Sequence, residues 1–287
     1  HRNVADIKLD YVVPAEDLRP YVTLFYHFRA DVPLFEDVER ADHAQLRFRL
    51  SRRGASYSFP DGTVQPASDV HIVGPTSGAM RTRADGPVEV IGMGLQPAGW
   101  AALLRIDAST MLNRALDGEA FFGAAVRRVS DRMRAASGTD EKVAIAAAFV
   151  RGSIAGADSE ALAFARQIDA WLAGSASPDV AALVVASGVS RRQVERRCNA
   201  LYGAPPKLLA RKYRALRAAV ALANGSTTLD DLIAEGFYDQ SHLIRELKQF
   251  TGLTPRQLRT EPNHLAQLTM TQRLALGGQV HPIISET

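Results

Sequence analysis

The sequence has very little cysteine and no long apolar run. Its one cysteine, Cys198, cannot form an internal disulfide and lacks the partners of a zinc cage, which fits a reducing compartment. No segment approaches the ~20 apolar residues of a membrane-spanning helix, and the first residues contain no apolar core of signal-peptide length. We therefore expect a cytoplasmic protein with no membrane partner.

Enzyme motifs are also scarce. His27, His43 and His71 are scattered without a His-x-His pair, so a metal site has little support. The pattern Gly92-x-Gly94-x-x-Pro97 lacks the third glycine of a dinucleotide-binding fingerprint and the rest of a βαβ unit. No Ser-His-Asp or Cys-His arrangement stands out. We predict no catalytic residues, no metal and no cofactor.

Basic residues are clustered rather than abundant. The 287-residue chain has a net charge of only +3, with 46% hydrophobic and 23% charged residues, so bulk charge does not indicate a polyanion binder. Between Arg191 and Arg217, however, nine basic residues stand against one acid, Glu195. A solvated helix face would mix both signs, and the imbalance therefore favours phosphate contact.

Residues 1–97 are predicted to form a β-rich domain. Turn signals such as Asp61-Gly62 and Gly74-Pro75 separate short runs of β-branched and aromatic residues. The runs are Tyr21–Phe28, Gln45–Leu50, Gly54–Phe59, Asp69–Val73 and Val88–Leu95. In the second run apolar residues alternate with arginine, as in a strand with one buried face. Many short strands of this kind indicate a barrel or sandwich.

Residues 98–157 are predicted to be a helical connector. An apolar stripe at helical spacing occurs twice, at Phe122–Met133 and at Val143–Ile154, which indicates an αα-hairpin. The hairpin either caps the β domain or serves as a dimerisation pair. Gly156–Ser159 is the predicted linker to residues 158–262. The tail, residues 263–287, has little periodicity and is expected to be partly disordered.

Residues 158–262 contain two copies of a helix-turn-helix pattern. Gly188 makes the first turn, and Ser190 with Gln193 predicts a capping box on the next helix. Gly236-Phe237 makes the second turn, and Asp239 caps the helix that follows. Five positions recur 49 residues apart: Val194, Cys198, Leu201, Gly203 and Pro206 correspond to Leu243, Leu247, Phe250, Gly252 and Pro255. A repeat in register is a stronger signal than one isolated motif.

A helix from Pro206 to about Ala223 is predicted between the two copies. Its length of about 27 Å, at 1.5 Å per residue, is suited to hold two recognition helices about one DNA turn apart. One protomer then enters two successive major grooves of double-stranded DNA. The predicted fold class is α+β, with a β-rich barrel, a helical connector and an all-α C-terminal double helix-turn-helix domain.

Residues 161–258 resemble the DNA-binding domain of AraC/XylS-type transcription regulators. The stretch Ile233–Arg259 carries the resemblance, with Gly-Phe, a polar triplet, Arg, Lys and Gly-x-x-Pro. Cys198 and Leu247 depart from the family, which usually has phenylalanine at both positions. The resemblance implies regulation of transcription at promoter DNA, with RNA polymerase as a partner and the protein itself as a homodimer.

The same resemblance assigns roles to side chains of the two recognition helices. The base-reading side chains would be Arg192, Glu195, Arg196, Gln240, Ser241, His242 and Arg245. Arginine suits guanine, glutamine suits adenine, and glutamate accepts from cytosine. Nearby basic residues are predicted phosphate contacts: Arg191, Arg197, Arg211, Lys212, Arg214 and Lys248. We expect the arginine-rich first motif to dominate affinity and the second to add discrimination.

The N-terminal region more loosely resembles the cupin-like sensor domains of this family. The stretches Val73–Ser77 and Gly92–Trp100 carry that likeness, which implies control by a ligand. Arg47, Arg49, Arg52 and Arg53 crowd the end of a predicted strand, and guanidinium groups bind phosphate or carboxylate. These four arginines are the predicted effector-binding residues, for a small anion.

Arg49–Arg53 reads R-x-x-x-R, which is similar to the arginine motif of PilZ-type cyclic di-GMP receptors. Cyclic di-GMP is therefore one candidate effector, although the second half of that pattern, Asp/Asn-x-Ser-x-x-Gly, is not found. An edge strand protected by charge is the alternative interpretation.

The sequence thus predicts a ligand-responsive, sequence-specific DNA-binding regulator. Two alternatives remain: a cupin-type metal-dependent enzyme with an accessory DNA-binding domain, and a constitutive DNA-binding protein without an effector.

Overall fold

The computed structural model describes residues 6–154, 156 and 158–287, and it divides into an N-terminal β domain and a C-terminal helical domain. The predicted α+β class is confirmed. The strands are β1 (Ile7–Val12), β2 (Val22–Ala30), β3 (Leu34–Glu39), β4 (Gln45–Arg49), β5 (Ala55–Ser58), β6 (Val64–Pro66), β7 (Val70–Val73), β8 (Met80–Asp85), β9 (Val88–Leu95) and β10 (Ala115–Asp117).

The strands form two antiparallel sheets rather than one closed barrel. A six-stranded sheet has the order β1-β2-β9-β4-β7-β10, and a four-stranded sheet has the order β3-β8-β5-β6. All five predicted runs are strands, because β2, β4, β5, β7 and β9 fall on them. The first strand of each order, β1 and β3, is an edge strand.

Strand β4 is enclosed on both faces, which its alternating pattern did not predict. Leu46 and Phe48 are fully buried on the outer face of the six-stranded sheet. Arg47 reaches the opposite sheet, where it donates to Tyr57 and to Glu39. The alternation therefore separates an apolar core from a buried polar layer, and not from solvent.

Four helices follow β9 within the N-terminal domain: α1 (Pro97–Leu103), α2 (Gly118–Phe122), α3 (Ala125–Ala135) and α4 (Gly138–Ser153). The α3–α4 hairpin packs on the outer face of the six-stranded sheet. Met133 and Val150 are fully buried in one core with Ile72 and Ile91 of that sheet. The hairpin thus covers the β sheet, as one of the two interpretations expects, and its role in dimerisation stays a prediction.

The C-terminal helices are α5 (Ser159–Ala173), α6 (Val180–Ser187), α7 (Arg191–Tyr202), α8 (Pro206–Ala223), α9 (Leu229–Glu235), α10 (Gln240–Thr251), α11 (Pro255–Thr260), α12 (His264–Leu274) and α13 (Pro282–Ser285). Helix α8 has the predicted bounds and contributes to both motif cores, with Leu209 in the first and Leu222 in the second. The predicted linker Gly156–Ser159 includes Ala157, which lies outside the described residues.

The expectation of a partly disordered tail is wrong. Residues 263–287 form α12 and α13, and the side chains of Met270, Ile283 and Ile284 are at most 7% exposed. Periodicity failed as a signal here because these residues pack into different cores on different sides of the chain, so they follow no single stripe.

The N-terminal domain contacts the C-terminal end of each recognition helix. Gly203, which ends α7, lies so close to Pro75 that a Cβ atom there would be 2.8 Å from the proline Cγ. Gly252, which ends α10, has the same relation to Val38, at 2.6 Å. At both helix ends, therefore, the two domains are too close for a side chain to fit between them.

Candidate DNA-binding surface and interdomain cavity

The first helix-turn-helix motif consists of α6, a glycine turn and α7. Asp179 caps α6 by accepting from the Ala181 N–H, and Gly188 makes the turn in the left-handed region at φ 69°. Ser190 accepts from the Gln193 N–H at 3.2 Å and begins α7. The complete reciprocal capping box forms elsewhere, between Thr254 and Gln257 at the start of α11.

The second motif repeats this arrangement with α9 and α10. Thr228 caps α9 through the Asp231 N–H at 3.2 Å. Asp239 caps α10 through the His242 N–H at 2.7 Å. Gly252 ends α10 in the left-handed region at φ 75°, as Gly203 ends α7. The internal repeat predicted from the glycine and cap positions is confirmed.

Most of the predicted base-reading side chains are exposed near the start of their helices. They are Arg192, Glu195 and Arg196 on α7, and Gln240, Ser241 and Arg245 on α10. His242 differs, because its side chain is only 27% exposed. Its Nδ1 accepts the Tyr238 N–H at 3.1 Å, and its Nε2 lies 3.5 Å from Glu246. The ring of His242 is therefore held by the second motif itself.

The predicted phosphate contacts divide into two groups. Arg191 and Lys248 are exposed, and half-buried Arg197 lies over the Phe164 ring at 5.7 Å. The other three are on α8, where each donates hydrogen bonds within the protein.

Arg211 and Arg214 hold the second motif on α8. Arg211 forms a two-point hydrogen bond with Glu246, at 2.9 and 2.8 Å. Arg214 donates to the Gly236 carbonyl at 3.0 Å, and its guanidinium stacks over Phe237 at 4.7 Å. Burial alone would raise the pKa of Glu246, but Arg211 holds that pKa below its ordinary value. Both arginines therefore position α10 rather than stand free for phosphate.

Lys212 is buried, and its assignment to phosphate is not retained. Its ammonium donates to the backbone carbonyl of Asp42 in the N-terminal domain at 2.7 Å. Burial lowers the pKa of Lys212 to about 8. Arg217, another cation of the basic run, donates to the Leu172 and Ser175 carbonyls. The charge count in this helix thus reflects internal hydrogen bonding as much as a DNA surface.

The four arginines predicted to bind an effector do not converge. Arg47 is bound to Glu39 and to Tyr26 between the sheets. Arg49 is buried and donates to the Ala67 carbonyl at 3.0 Å and to the Arg53 carbonyl. Arg47 and Arg49 are therefore buried structural residues of the β domain and not effector-binding residues.

Arg52 and Arg53 lie on the surface instead. Arg52 pairs with Asp131 at 2.8 Å, and both side chains are more than half exposed. Arg53 is exposed as well. The R-x-x-x-R pattern therefore spans a buried and an exposed side chain, so the structure offers no support for a cyclic di-GMP site.

A cavity of about 100 Å³ lies between the N-terminal β domain and helices α8, α11 and α12. Its lining combines apolar helix side chains with three arginines. The apolar residues include Leu216, Val220, Leu258, Leu265 and Met270, and the arginines are Arg40, Arg47 and Arg273. Such a lining suits a ligand that has both an apolar body and an anionic group.

Arg40 is the arginine of this cavity with unfilled donors. Its side chain is 12% exposed, and its Nη2 lies 3.6 Å from Asp42. Its Nε and Nη1 atoms have no hydrogen-bond partner among the described residues. A buried guanidinium with unpaired N–H groups is costly, and an anion in the cavity would supply the missing acceptors.

Asp42 connects the two domains beside Arg40. It accepts from Arg273 of α12 at 2.7 Å, and Arg273 also donates to the Tyr11 hydroxyl at 3.1 Å. Burial would raise the pKa of Asp42, but Arg273 and Arg40 hold it well below its ordinary value. The carboxylate therefore remains charged at the domain interface.

Sequence patterns did not indicate Arg40, Asp42 or Arg273. Arg40 and Asp42 precede β4 in a loop, and Arg273 lies in the tail that lacks periodicity. No sequence pattern assigned a role to Glu246 either. Its position four residues after His242, opposite the arginines of α8, was the available signal.

Comparison with known proteins agrees with the geometry of the C-terminal domain. Residues 183–261 match the family model of a helix-turn-helix domain. The protein is thus a DNA-binding protein with a double helix-turn-helix. The domain is of the AraC type, and the resemblance drawn from the sequence is confirmed for this segment. Residues 11–117 match a domain of unknown function, DUF6597. That match names no ligand.

Solved structures of ToxT from Vibrio cholerae are similar to the chain at low identity. One crystal form has a TM-score of 0.47 and 8% identity, covering 83% of this chain and 99% of ToxT. ToxT with a bound unsaturated fatty acid has a TM-score of 0.45 and 8% identity, covering 82% and 94%. These similarities are too low to assign a ligand to this chain. No curated protein matches it.

Among the described residues, neither a metal-binding group nor a membrane-crossing helix occurs. Across residues 6–154, 156 and 158–287, His, Cys, Asp and Glu side chains form no group of three or more that could hold a metal ion. Within the same residues, no helix combines the length and apolarity needed to cross a membrane.

Proposed function

We propose that this protein is a ligand-responsive, sequence-specific transcription regulator that reads promoter DNA with both helix-turn-helix motifs. The observation that carries the proposal is the pair of capped recognition helices held on α8, each with exposed polar side chains near its start. The proposed base-reading residues are Arg192, Glu195, Arg196, Gln240, Ser241 and Arg245. His242 contributes through its exposed edge only.

The DNA part is tested with a site selected from a random-sequence DNA pool. Arg196→Ala and Arg245→Ala should each weaken binding to that site by about 1–3 kcal/mol, while binding to unrelated DNA changes less. Arg191→Ala is the matched control, because a phosphate contact is lost equally on both DNAs. Equal losses on both DNAs for Arg196→Ala would contradict base reading.

The effector proposed here is a small anion bound at Arg40 in the interdomain cavity. The unfilled donors of that buried guanidinium support the proposal, and so does the position of the cavity between the two domains. A ligand that binds at a domain interface can shift the orientation of the domains when its affinity differs between the two arrangements.

A thermal-shift screen of intracellular anions, cyclic dinucleotides included, tests the effector site. An anion at 100 times its Kd stabilises the protein by about 2.7 kcal/mol and should raise the Tm of the natural protein. Arg40→Gln should abolish that shift, and the exposed control Arg52→Gln should keep it. A shift that survives in Arg40→Gln would place the anion elsewhere. If no anion acts on either protein, constitutive DNA binding becomes the better account.

Contact with RNA polymerase and homodimer formation stay predictions that follow from the family resemblance. The α3–α4 hairpin buries its apolar stripe on the β sheet, so a homodimer formed through this hairpin would use its exposed side.

A further inference from the structure

The last 25 residues of the chain, 263–287, pack into three separate cores. We call this segment the strap. It follows the matched helix-turn-helix region, which ends at residue 261. The strap is therefore an addition to the matched helix-turn-helix segment.

Helix α12 of the strap covers the opening between the edge strands of the two sheets. Leu265 and Leu268 pack against the core that contains Leu9 of β1 and Phe35 of β3. Asn263 donates to the Val38 carbonyl of β3 at 3.0 Å. The strap thus closes the sandwich where neither sheet has a further strand.

The rest of the strap enters the cores of both helix-turn-helix motifs. Met270 is 7% exposed in the second core, together with Leu243 and Leu247 of α10. Ile283 and Ile284 of α13 are buried in the first core, against Phe164 and other residues. A displacement of the strap therefore removes packing atoms from both motifs at once.

The strap is also a wall of the interdomain cavity. Leu265, Met270 and Arg273 line it, and its volume is about 100 Å³. Ligand sites for molecules of ordinary size measure roughly 300–1,000 Å³. A ligand of that size fits only if a wall moves. The strands are held by hydrogen bonds within their sheets, and α8 buries ten of its residues, whereas α12 buries only Met270.

We propose that the strap is a displaceable wall of the effector site, which an amphipathic anion moves aside when its charged group binds Arg40. Displacement withdraws Met270 and the two isoleucines from the motif cores. Ligand binding in the cavity thereby changes the packing beneath the DNA-binding surface. The inference rests on the proposed effector site at Arg40 and adds the size class of the ligand and the element that moves.

Competition between strap and ligand gives a specific expectation for affinity. The apparent Kd equals the intrinsic Kd divided by the fraction of molecules with the strap displaced. Leu268→Ala weakens strap docking without touching the cavity, because Leu268 packs on the β domain and does not line the site. It should therefore tighten ligand binding at least threefold.

The test uses the full-length protein with 1-anilinonaphthalene-8-sulfonate, an anionic sulfonate on an apolar body larger than the cavity. Isothermal titration calorimetry measures its Kd, and hydrogen exchange reports on the α12 amides. We expect a saturating probe to raise the α12 exchange rates at least tenfold. Leu268→Ala should bind the probe more tightly, while Val185→Ala, an apolar truncation at an 83% exposed position, should not.

The outcomes separate the strap from the effector site. Unchanged or slower α12 exchange in the presence of bound probe overturns the strap proposal, and so does weaker binding by Leu268→Ala. If Arg40→Gln still loses probe affinity in that case, the effector site stands without the strap. If neither the natural protein nor Leu268→Ala binds the probe, both proposals fail for amphipathic anions.

Discussion

The cations of helix α8 show how a residue's surroundings determine its role. Arg211 binds Glu246, Lys212 binds the Asp42 carbonyl, and Arg217 binds the end of α5. Each of these side chains joins α8 to a different neighbour. Cations whose donors are filled inside the protein contribute little to phosphate binding, so the basic run overstates the charge that faces DNA.

The salt dependence of DNA binding should reveal this difference. The slope of log K against log salt concentration falls by about 0.9 for each phosphate contact removed. Arg191→Gln should lose about that much slope, and Lys212→Gln should keep the slope of the natural protein. Fluorescence anisotropy at several salt concentrations measures both. A lower slope in Lys212→Gln, with its Tm unchanged, would show that Lys212 does contact a phosphate.

Asp169 makes the stability of the C-terminal domain depend on pH. Burial raises its pKa to about 7, against an ordinary value of about 3.9. Between these two values the folded protein binds the proton more tightly than the unfolded chain does. The contribution of Asp169 to the free energy of unfolding therefore falls as the pH rises from about 4 to 7.

Asp169→Asn should remove this dependence. We expect the stability of the variant relative to the natural protein to rise by about 1–3 kcal/mol between pH 5 and pH 8. Urea unfolding at the two pH values measures the difference. A variant that is equally destabilised at both would show that Asp169 is charged in the folded protein and needed by Tyr202, which lies 3.5 Å away.

At the scale of elements, each recognition helix is held at its C-terminal end by the N-terminal domain. Gly203 meets Pro75, and Gly252 meets Val38, with no room for a side chain at either glycine. The starts of the same helices, which carry the proposed base-reading residues, remain exposed. The N-terminal domain is therefore in a position to tilt both helices without covering their DNA-binding surface.

A comparison of Gly252→Ala with Gly188→Ala separates the cost of disturbing this packing from the cost of backbone strain. Gly188 and Gly252 both have left-handed backbones, but a Cβ at Gly188 would meet nothing within 4 Å. Gly188→Ala should cost about 1–2 kcal/mol of stability from backbone strain alone. Gly252→Ala should cost a further 1–3 kcal/mol or so, because its Cβ would lie 2.6 Å from Val38. If urea unfolding showed the same loss of stability for both variants, the contact between the domains would adapt to the added methyl group without cost.

In the whole molecule, buried charge and backbone hydrogen bonds join the two domains. The Ala41 N–H donates to the Phe250 carbonyl at the end of α10, at 2.8 Å. Next to it, Asp42 neutralises Arg273 of the strap and lies beside Arg40. Because these groups are satisfied only when the domains are together, we expect the domains to unfold in one transition.

Asp42→Asn should break this cooperativity. The substitution leaves two buried arginines without a carboxylate, which costs about 3–5 kcal/mol in comparable pairs. Differential scanning calorimetry should then show a lower Tm and two transitions. Asp131→Asn is the matched control, since its pair with Arg52 is solvent-exposed and worth about 0–1 kcal/mol. A single transition with an unchanged Tm in Asp42→Asn would mean that the interface does not depend on this charge.

The features that depend on near neighbours in the chain follow from residue patterns. The caps at Ser190 and Asp239, the left-handed glycines and the bounds of α8 follow from local hydrogen bonding and helical periodicity, and all are found in the structure. The double helix-turn-helix, and with it DNA binding, could therefore be predicted from residue patterns alone.

Which charged side chains are free depends instead on how the chain packs in three dimensions. Arg40 and Arg273 are far apart in the sequence, and Arg47 and Lys212 are ordinary exposed cations by residue type. Packing within and between the two domains buries all four, binds Arg47 to Glu39 and Lys212 to the Asp42 carbonyl, and leaves two nitrogens of Arg40 without a partner among the described residues. The physical reason is that burial and pairing depend on long-range contacts, which no local pattern in the chain encodes.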